Sequence, residues 1–359
     1  RLLDAIAEAA ARVPAGHGYM ASSTVLALLL AAAAAIVMRV VLRRAGVFAV
    51  APRDAADDSG AWLLPDAARR RTARWRAAVA VAVAVCVAAW APRLVALPDG
   101  SLAIHAIDVG QGDAFAIRTP NGRWVLVDAG PRTPRSDAGR DRVVPFLLKQ
   151  GARRIDALIL THPDADHIGG AAAVLEAFDV GLVIDPGLAA GKDMFIDLLA
   201  TARRSGMRWV AARAGRDFVI DGVKFALLYP LHELDGPGAA NDLSVVFRME
   251  YGSFAALFLG DAPAAVEDQL VARHGGRLRA AVLKVGHHGS ATSTSETLLN
   301  ATRPEIALVS AGRRNRYGHP APVVLRRLEQ HNVRVLRTDE LGHITVRVSR
   351  SGRVESLAR

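Results

Sequence analysis

Apolar positions fall into two regimes that change near residue 100. Before it they run in long blocks. Val25–Met38 is uninterrupted apolar, and the surrounding stretch 20–42 reaches the length of a bilayer-spanning helix, about 20 residues. A second block, Ala77–Ala91, lies between Trp75 and Trp90 and extends past Arg93 to about residue 97. Aromatic residues at both ends suit the headgroup belts of a membrane. Both blocks are expected to be transmembrane helices. Their composition also suits buried helices of a soluble core, and the Val/Ala alternation of the second also permits a strand. Residues 1–12 read as a short amphipathic helix.

After Ser101 the pattern shortens and mixes periods of two and of 3.6. Strands are expected over 102–107, 114–119 and 124–127, with a turn at Pro120–Arg123. A helix over 141–150, a strand over 155–161, a helix over 171–178, a strand over 182–184 and a helix over 192–205 follow. Strands near 208–211, 217–221 and 223–229 precede a hairpin of 242–250 and 254–259. The chain ends with a helix at 263–273, a strand at 280–285, a helix at 294–301, a strand at 305–310, a helix at 321–331 and strands at 334–338 and 343–348. Hairpins interleaved with strand–helix alternation predict an α/β domain with mixed sheets, not a purely parallel doubly wound one. Two domains are expected: a membrane region over 1–100 and a folded domain over 101–359.

Charge adds an orientation. Nine arginines lie in 39–76, against Arg1 and Arg12 before the first block and Arg93 after the second. The positive-inside rule then puts the intervening loop in the cytoplasm and the domain after residue 100 outside it, periplasmic on a multi-pass inner-membrane protein. The net charge of +10 splits evenly about residue 100, so the folded domain is only mildly basic. That charge permits a polyanionic partner without requiring one. Cys86 is the single cysteine, which excludes a disulfide framework and a multi-cysteine zinc site within one chain. A sequence opening on Arg1 is expected to be a processed form or a piece of something longer.

The densest chemistry lies in Thr161-His162-Pro163-Asp164-Ala165-Asp166-His167-Ile168-Gly169-Gly170. Two imidazoles and two carboxylates within six residues, where an apolar strand ends, suit Zn²⁺, Mn²⁺ or Fe. A solvated loop with local Asp turns is the alternative. Asp261 after one apolar strand, His287 and His288 after another, and His319 after a third are further polar groups at strand ends. Together they make the inventory of a two-metal site. Lys284, one of only four lysines, is a candidate positive charge beside it; the alternative is a strand-end lysine facing solvent. Arg313, Arg314 and Arg316 flank His319 and form either a solvated loop or a grip on a nucleic-acid backbone.

These motifs resemble the metallo-β-lactamase superfamily and, more narrowly, the carboxy-terminal domain of ComEC-type competence proteins, the DNA-uptake channels of transformable bacteria. The matching segments are Asp108–Asp113, Val127–Pro131, Thr161–Gly170, Asn241-Asp242-x-Ser244, Leu259–Asp261, Leu283–Ser290 and Tyr317–Pro320. The resemblance implies an αββα metallo-β-lactamase-like sandwich, preceded by membrane helices, with two divalent metal ions, Mn²⁺ or Zn²⁺, at the sheet edge. Carried over by position, His162 and Asp164 bind one ion, Asp166, His167 and His287 or His288 bind the other, and Asp261 bridges. Asp164 stands where the pattern has its second histidine, and Asn241-Asp242 stands near its mid-domain histidine, with His232 as a weak substitute. Asp128 is expected either to orient a ligand histidine or to cap its turn, and Asp113 to lie outside the ligand shell.

The implied activity is hydrolysis of DNA phosphodiester bonds by metal-bound hydroxide, with Asp166 orienting the nucleophile, His319 contacting the phosphate or protonating the leaving oxygen, and Lys284 nearby. The implied partners are DNA, the membrane, other DNA-uptake proteins and the rest of the channel protein. A non-catalytic DNA-guiding module, or a hydrolase of another phosphodiester, are the competing functions.

Overall fold

The computed structural model describes residues 100–187, 193–204, 206–231, 240–349 and 351–358, with Trp75 and Val79 as isolated positions before them. The two expected membrane spans and the 1–12 helix lie outside the described residues apart from those single positions. Among the described residues, no helix is long and apolar enough to cross a membrane.

Period-two alternation generates two sheets. The first contains β1 (Leu102–Ala106), β2 (Phe115–Arg118), β3 (Trp124–Val127), β4 (Ala157–Ile159), β5 (Leu182–Asp185), β6 (Arg208–Ala211), β14 (Ile344–Val348) and β15 (Val354–Ala358). Their order is β6-β5-β4-β3-β2-β1-β14-β15. The second contains β7 (Phe218–Ile220), β8 (Val223–Tyr229), β9 (Val246–Tyr251), β10 (Phe254–Phe258), β11 (Val282–Lys284), β12 (Ile306–Val309) and β13 (Arg334–Arg337), in sequential order. Each sheet joins an antiparallel part to a parallel part: β3 to β6 run parallel in the first, β10 to β13 in the second.

Alternate side chains separate three cores. Ile104, Phe115, Ile117 and Val127 of the first sheet meet Phe225, Phe247 and Phe258 of the second in a central core. Phe115 and Phe258 pack edge-to-face across it at 5.8 Å. The intervening residues point outward: Ala116, Trp124 and Leu126 toward one layer of helices, Ala255, Leu257 and Leu259 toward the other. The helices α1 (Val144–Lys149), α3 (Ala171–Ala177) and α4 (Asp193–Arg204) cover the first sheet, with the short α2 (Ala165–Ile168) before α3; α5 (Ala264–His274), α6 (Glu296–Thr302) and α7 (Pro322–Gln330) cover the second. The layers are helix, sheet, sheet, helix.

Element positions follow the sequence pattern closely, and the departures have local causes. The strand ends at Ile159; Leu160 N still donates to Ile184 O at 2.8 Å, and Thr161 N then turns to the Asp128 carboxylate at 2.8 Å. The expected strand 242–250 begins only at Val246, since Ala240–Leu243 forms a 3-10 turn. β15 is absent from the sequence reading; its Val-Glu-Ser-Leu-Ala pattern is too short and polar to stand out, and it forms by antiparallel pairing with β14.

Gly169-Gly170 allows the 161–170 loop to pack closely. A Cβ on Gly170 would overlap the carbonyl oxygen of Ala129 and the amide nitrogen of Gly139, both backbone atoms that cannot swing away. Gly170→Ala is therefore expected to cost about 3 kcal/mol, a drop in Tm of about 6–12 °C. Thermal unfolding followed by circular dichroism checks it, and an unchanged Tm contradicts the close approach.

Candidate metal centre

The parallel parts of both sheets end at one edge of the sandwich, and most of the site's side chains sit just past a strand terminus there. Asp128 follows β3, Thr161 and His162 follow β4, Asp261 follows β10, His287 and His288 follow β11, and Ser310 follows β12. A hydrogen bond of 2.8 Å from Val245 N to Thr161 O ties the two sheets together there. Gly112 carries the 108–113 loop underneath: at φ +143° its backbone passes so close to Asp166 that a Cβ would overlap the Asp166 carbonyl. Asp128, His287 and His288 adopt left-handed φ of 56°, 49° and 55°. Such conformations cost roughly 1–3 kcal/mol each in a non-glycine residue, and persist where the surroundings fix them.

Asp261 is the hub. Its Oδ2 lies 3.3 Å from His167 Nε2, 3.4 Å from His288 Nε2, 3.7 Å from His287 Nε2 and 4.0 Å from His162 Nε2. Ligand atoms about 2.1 Å from a tetrahedral ion stand about 3.4 Å apart, so these spacings are those of a coordination shell. His162 Nε2 is also 3.5 Å from Asp164 Oδ2, and His288 Nε2 is 3.3 Å from Asp166 Oδ2.

The far nitrogen of each buried ring is already engaged. His167 Nδ1 donates to Asp128 Oδ2 at 2.9 Å and His288 Nδ1 to the Ser310 carbonyl at 3.0 Å. Thr161 Oγ1 gives its proton to Asp128 Oδ2 at 2.7 Å, which leaves it to accept from His162 Nδ1 at 3.1 Å. With Nδ1 donating, the neutral form of each ring has its lone pair on Nε2. The Nε2 atoms of His162, His167 and His288 are all buried without a hydrogen-bond partner. Orphaned imidazole nitrogens around one carboxylate fit a divalent cation. When bound, such an ion acts as a Lewis acid and lowers the pKa of its water.

A second grouping, Asp113 with His167, Asp261 and His288, also brings ligand atoms within 4.8 Å of one another. A cation already serves that side. The Lys284 ammonium forms an ion pair with Asp113, lies 3.5 Å from Asp261 Oδ1 and donates to Gly260 O at 2.7 Å. Asp113 moreover faces the Nδ1 edges, 3.2 Å from His288 and 3.8 Å from His167. The lone-pair side is the Oδ2 side of Asp261. Lys284 is only 2% exposed, so it does not face solvent.

Electrostatics follow the same division. Burial raises the carboxyls of Asp113 and Asp261, but Lys284 and His288 outweigh it for Asp113, and His167 and His288 for Asp261, holding both well below the usual carboxylate range. Burial lowers His288, yet Asp261 and Asp113 lift it to about 10; His167 is likewise lifted, chiefly by Asp261 and Asp128. Asp261 thus holds protons on Nε2 atoms that a metal ion would displace.

Residues 107–313 match the Metallo-beta-lactamase superfamily. The chain belongs to that superfamily. It is similar to ComE operon protein 3 of Bacillus subtilis (strain 168), with 36% identity over 68% of this chain and 33% of that protein. It is similar also to Competence protein ComA of Neisseria gonorrhoeae, with 35% identity over 72% of this chain and 34% of that one. These relatives carry the ComEC-type resemblance drawn from the motifs, and the chain spans about a third of their length. Among solved structures, the diiron β-hydroxylase CmlA from Streptomyces venezuelae aligns with a TM-score of 0.47 at 16% identity, over 73% of this chain and 55% of that one.

For a metallo-β-lactamase-fold protein the remaining residues divide clearly. His287 is partly exposed at the rim, its ring 5.6 Å from that of His319. His319 Nδ1 is buried without a hydrogen-bond partner, and burial together with His288 and His287 lowers its pKa. Tyr317, 55% exposed, stacks on His319 at 5.8 Å and accepts a hydrogen bond from Arg316. His232 lies outside the described residues. The sequence reading missed two residues, Thr161 and Ser310, which position histidines. A hydroxyl directly before His162 was the available signal for Thr161; Ser310 acts partly through its backbone carbonyl, which leaves no sequence trace.

Proposed function

We propose that this chain is the metal-dependent phosphodiesterase part of a membrane DNA-uptake channel, hydrolysing DNA at the sheet edge. The observation that carries the reading is the set of buried, partnerless Nε2 atoms around Asp261 Oδ2, opening beside an exposed aromatic and basic rim. Residues 101–359 are the hydrolase domain in this account and 1–100 the inner-membrane region, with the domain on the periplasmic side. The names of the curated relatives support the competence assignment.

Two divalent ions, Mn²⁺ or Zn²⁺, are assigned to the centre. His162 and Asp164 would hold one, Asp166, His167 and His288 would hold the other, and Asp261 Oδ2 faces both sets. His288 rather than His287 is the ligand, because its Nδ1 is anchored and its Nε2 faces both Asp166 and Asp261. Asp128 and Thr161 fix the rings, while Lys284 balances Asp113 without reaching substrate. Asp166 orients the attacking water. His319, neutral at physiological pH because its pKa is lowered, donates a hydrogen bond to a phosphate oxygen instead of transferring a proton.

Tyr317 offers a face on which a base stacks, and Arg313, Arg314 and Arg316 lie beside it for the backbone. Tyr317→Ala is expected to weaken single-stranded DNA binding by about 1–3 kcal/mol, roughly 5- to 150-fold. Fluorescence anisotropy with a labelled oligonucleotide measures this.

The function itself is tested by incubating the purified chain with single- and double-stranded DNA in Mn²⁺, Zn²⁺ or EDTA, beside Asp166→Ala. Cleavage that needs metal and disappears in the variant is expected. Metal-loaded protein that cleaves neither DNA nor a chromogenic phosphodiester contradicts the reading and favours the DNA-guiding module.

A further inference from the structure

A second concave site lies on the outer face of the first sheet, distinct from the metal centre. It is a cavity of about 330 Å³ where α1 ends over β1 and β14. That volume is at the small end of ligand pockets, about 300–1,000 Å³. The strand register builds its floor: His105 pairs with Thr345, and Ala103 with Arg347. Period-two alternation turns His105, Thr345 and Arg347 to the same face, opposite the central core. The turn of α1 brings Phe146 and Lys149 over them, and Arg142 enters from the preceding turn.

Two features are unaccounted for by folding alone. First, His105 is 4% exposed, and its Nε2 is buried without a hydrogen-bond partner, while Nδ1 bonds Thr345 Oγ1 at 2.9 Å. A buried polar atom left unpaired is costly, and a hydrogen bond from a ligand at this site would offset that cost. Burial and the nearby Arg347 push the ring down to about 3, so it stays neutral and offers a hydrogen bond without a charge. Second, Arg142, Lys149 and Arg347 line the cavity, and among the described residues none forms an ion pair with a carboxylate. Asp141 is the single acidic lining residue, so the site carries an excess of two positive charges. Three unpaired cations at one concavity are placed for a multiply charged anion.

The wall is aromatic. Phe146 packs against His105 at 5.3 Å and His343 at 5.1 Å. His343 Nδ1 accepts from Asp108 N at 3.0 Å, which places its proton on Nε2 as a further donor. An anion site beside flat rings, with the Asp141 carboxylate available to accept from a hydroxyl or amine, fits a ligand that joins a phosphate to a planar base.

We propose that this cavity binds a nucleoside monophosphate, its phosphate held by Arg142, Lys149 and Arg347 above His105, and its base against Phe146 and His343. The assignment stands independently of the nuclease reading, because none of the cavity's lining residues belongs to the metal centre.

Isothermal titration calorimetry on the metal-free chain in EDTA tests it, with adenosine 5′-monophosphate and, separately, inorganic phosphate as probes. Asp166→Asn, a partly exposed residue of the metal centre, serves as a control. One-to-one binding is expected, kept in Asp166→Asn and weakened at least 10-fold in Arg347→Gln and in Lys149→Gln. Both cavity side chains are exposed, so circular dichroism should show an intact fold. Inorganic phosphate is expected to bind at least 10-fold more weakly than the nucleotide. No binding, binding lost in a folded Asp166→Asn, or binding indifferent to the two cavity variants overturns the site. Phosphate bound as tightly as the nucleotide overturns the nucleoside assignment.

Discussion

Asp261→Asn is expected to reduce metal-dependent hydrolysis at least 1,000-fold, about 4 kcal/mol of transition-state stabilisation, and to lower bound metal in parallel. The argument is geometric. One oxygen of this carboxylate lies within 4.0 Å of four imidazole Nε2 atoms, on both the His162 side and the His288 side. An amide in its place lacks the charge that offsets a divalent ion. Because Asp261 is buried, the variant also changes the metal-free protein, so Asp166→Asn is the companion test. Asp166 is partly exposed, touches His288 but not Lys284, and should lose activity with little change in unfolding temperature. Wild-type activity in both variants, measured on a chromogenic phosphodiester alongside metal content by mass spectrometry, contradicts the ligand assignment.

The second large effect falls on stability. Lys284 is a buried cation between Asp113 and Asp261. Removing one member of a buried charge group leaves the others uncompensated, at about 3–5 kcal/mol. Lys284→Met is expected to lower Tm by roughly 6–20 °C in EDTA, and a shift under about 2 °C contradicts the ion-pair account. The pH dependence has a definite sign. Asp113 and Asp261 have depressed carboxyls in the folded protein, so their stabilisation is present above the unfolded carboxylate range and is lost as pH falls through the lower folded values. Without Lys284 that loss should begin at higher pH. His167 and His288 act oppositely in the metal-free protein. Their stabilisation is complete below the ordinary histidine value and disappears as pH rises toward the elevated folded ones, about 10 for His288.

How much of this was legible in the chain depends on the range of the interaction. Alternation of apolar residues fixed the faces of β1, β2 and β10, because one face of each strand must enter the central core. The Thr161–Gly170 segment announced its chemistry by the density of donors alone. The choice between His287 and His288 was invisible, since adjacent residues of the same type differ only in backbone direction; left-handed φ at both sends His288 inward to Ser310 and leaves His287 at the rim. Lys284 was legible as a rare residue but not as a buried one, because its partner Asp113 lies far away in sequence. The cavity over His105 had no sequence signature, for it arises where a register between β1 and β14 meets the end of α1.

The placement of the ion on the Oδ2 side of Asp261 underlies the whole account. Anomalous diffraction from crystals of the chain soaked in Zn²⁺ tests it directly. The prediction is density about 2.0–2.2 Å from Asp261 Oδ2 and from the Nε2 atoms of His167 and His288, with Lys284 still paired to Asp113. A peak against Asp113 with Lys284 displaced, or no peak at this edge of the sheets, would contradict it.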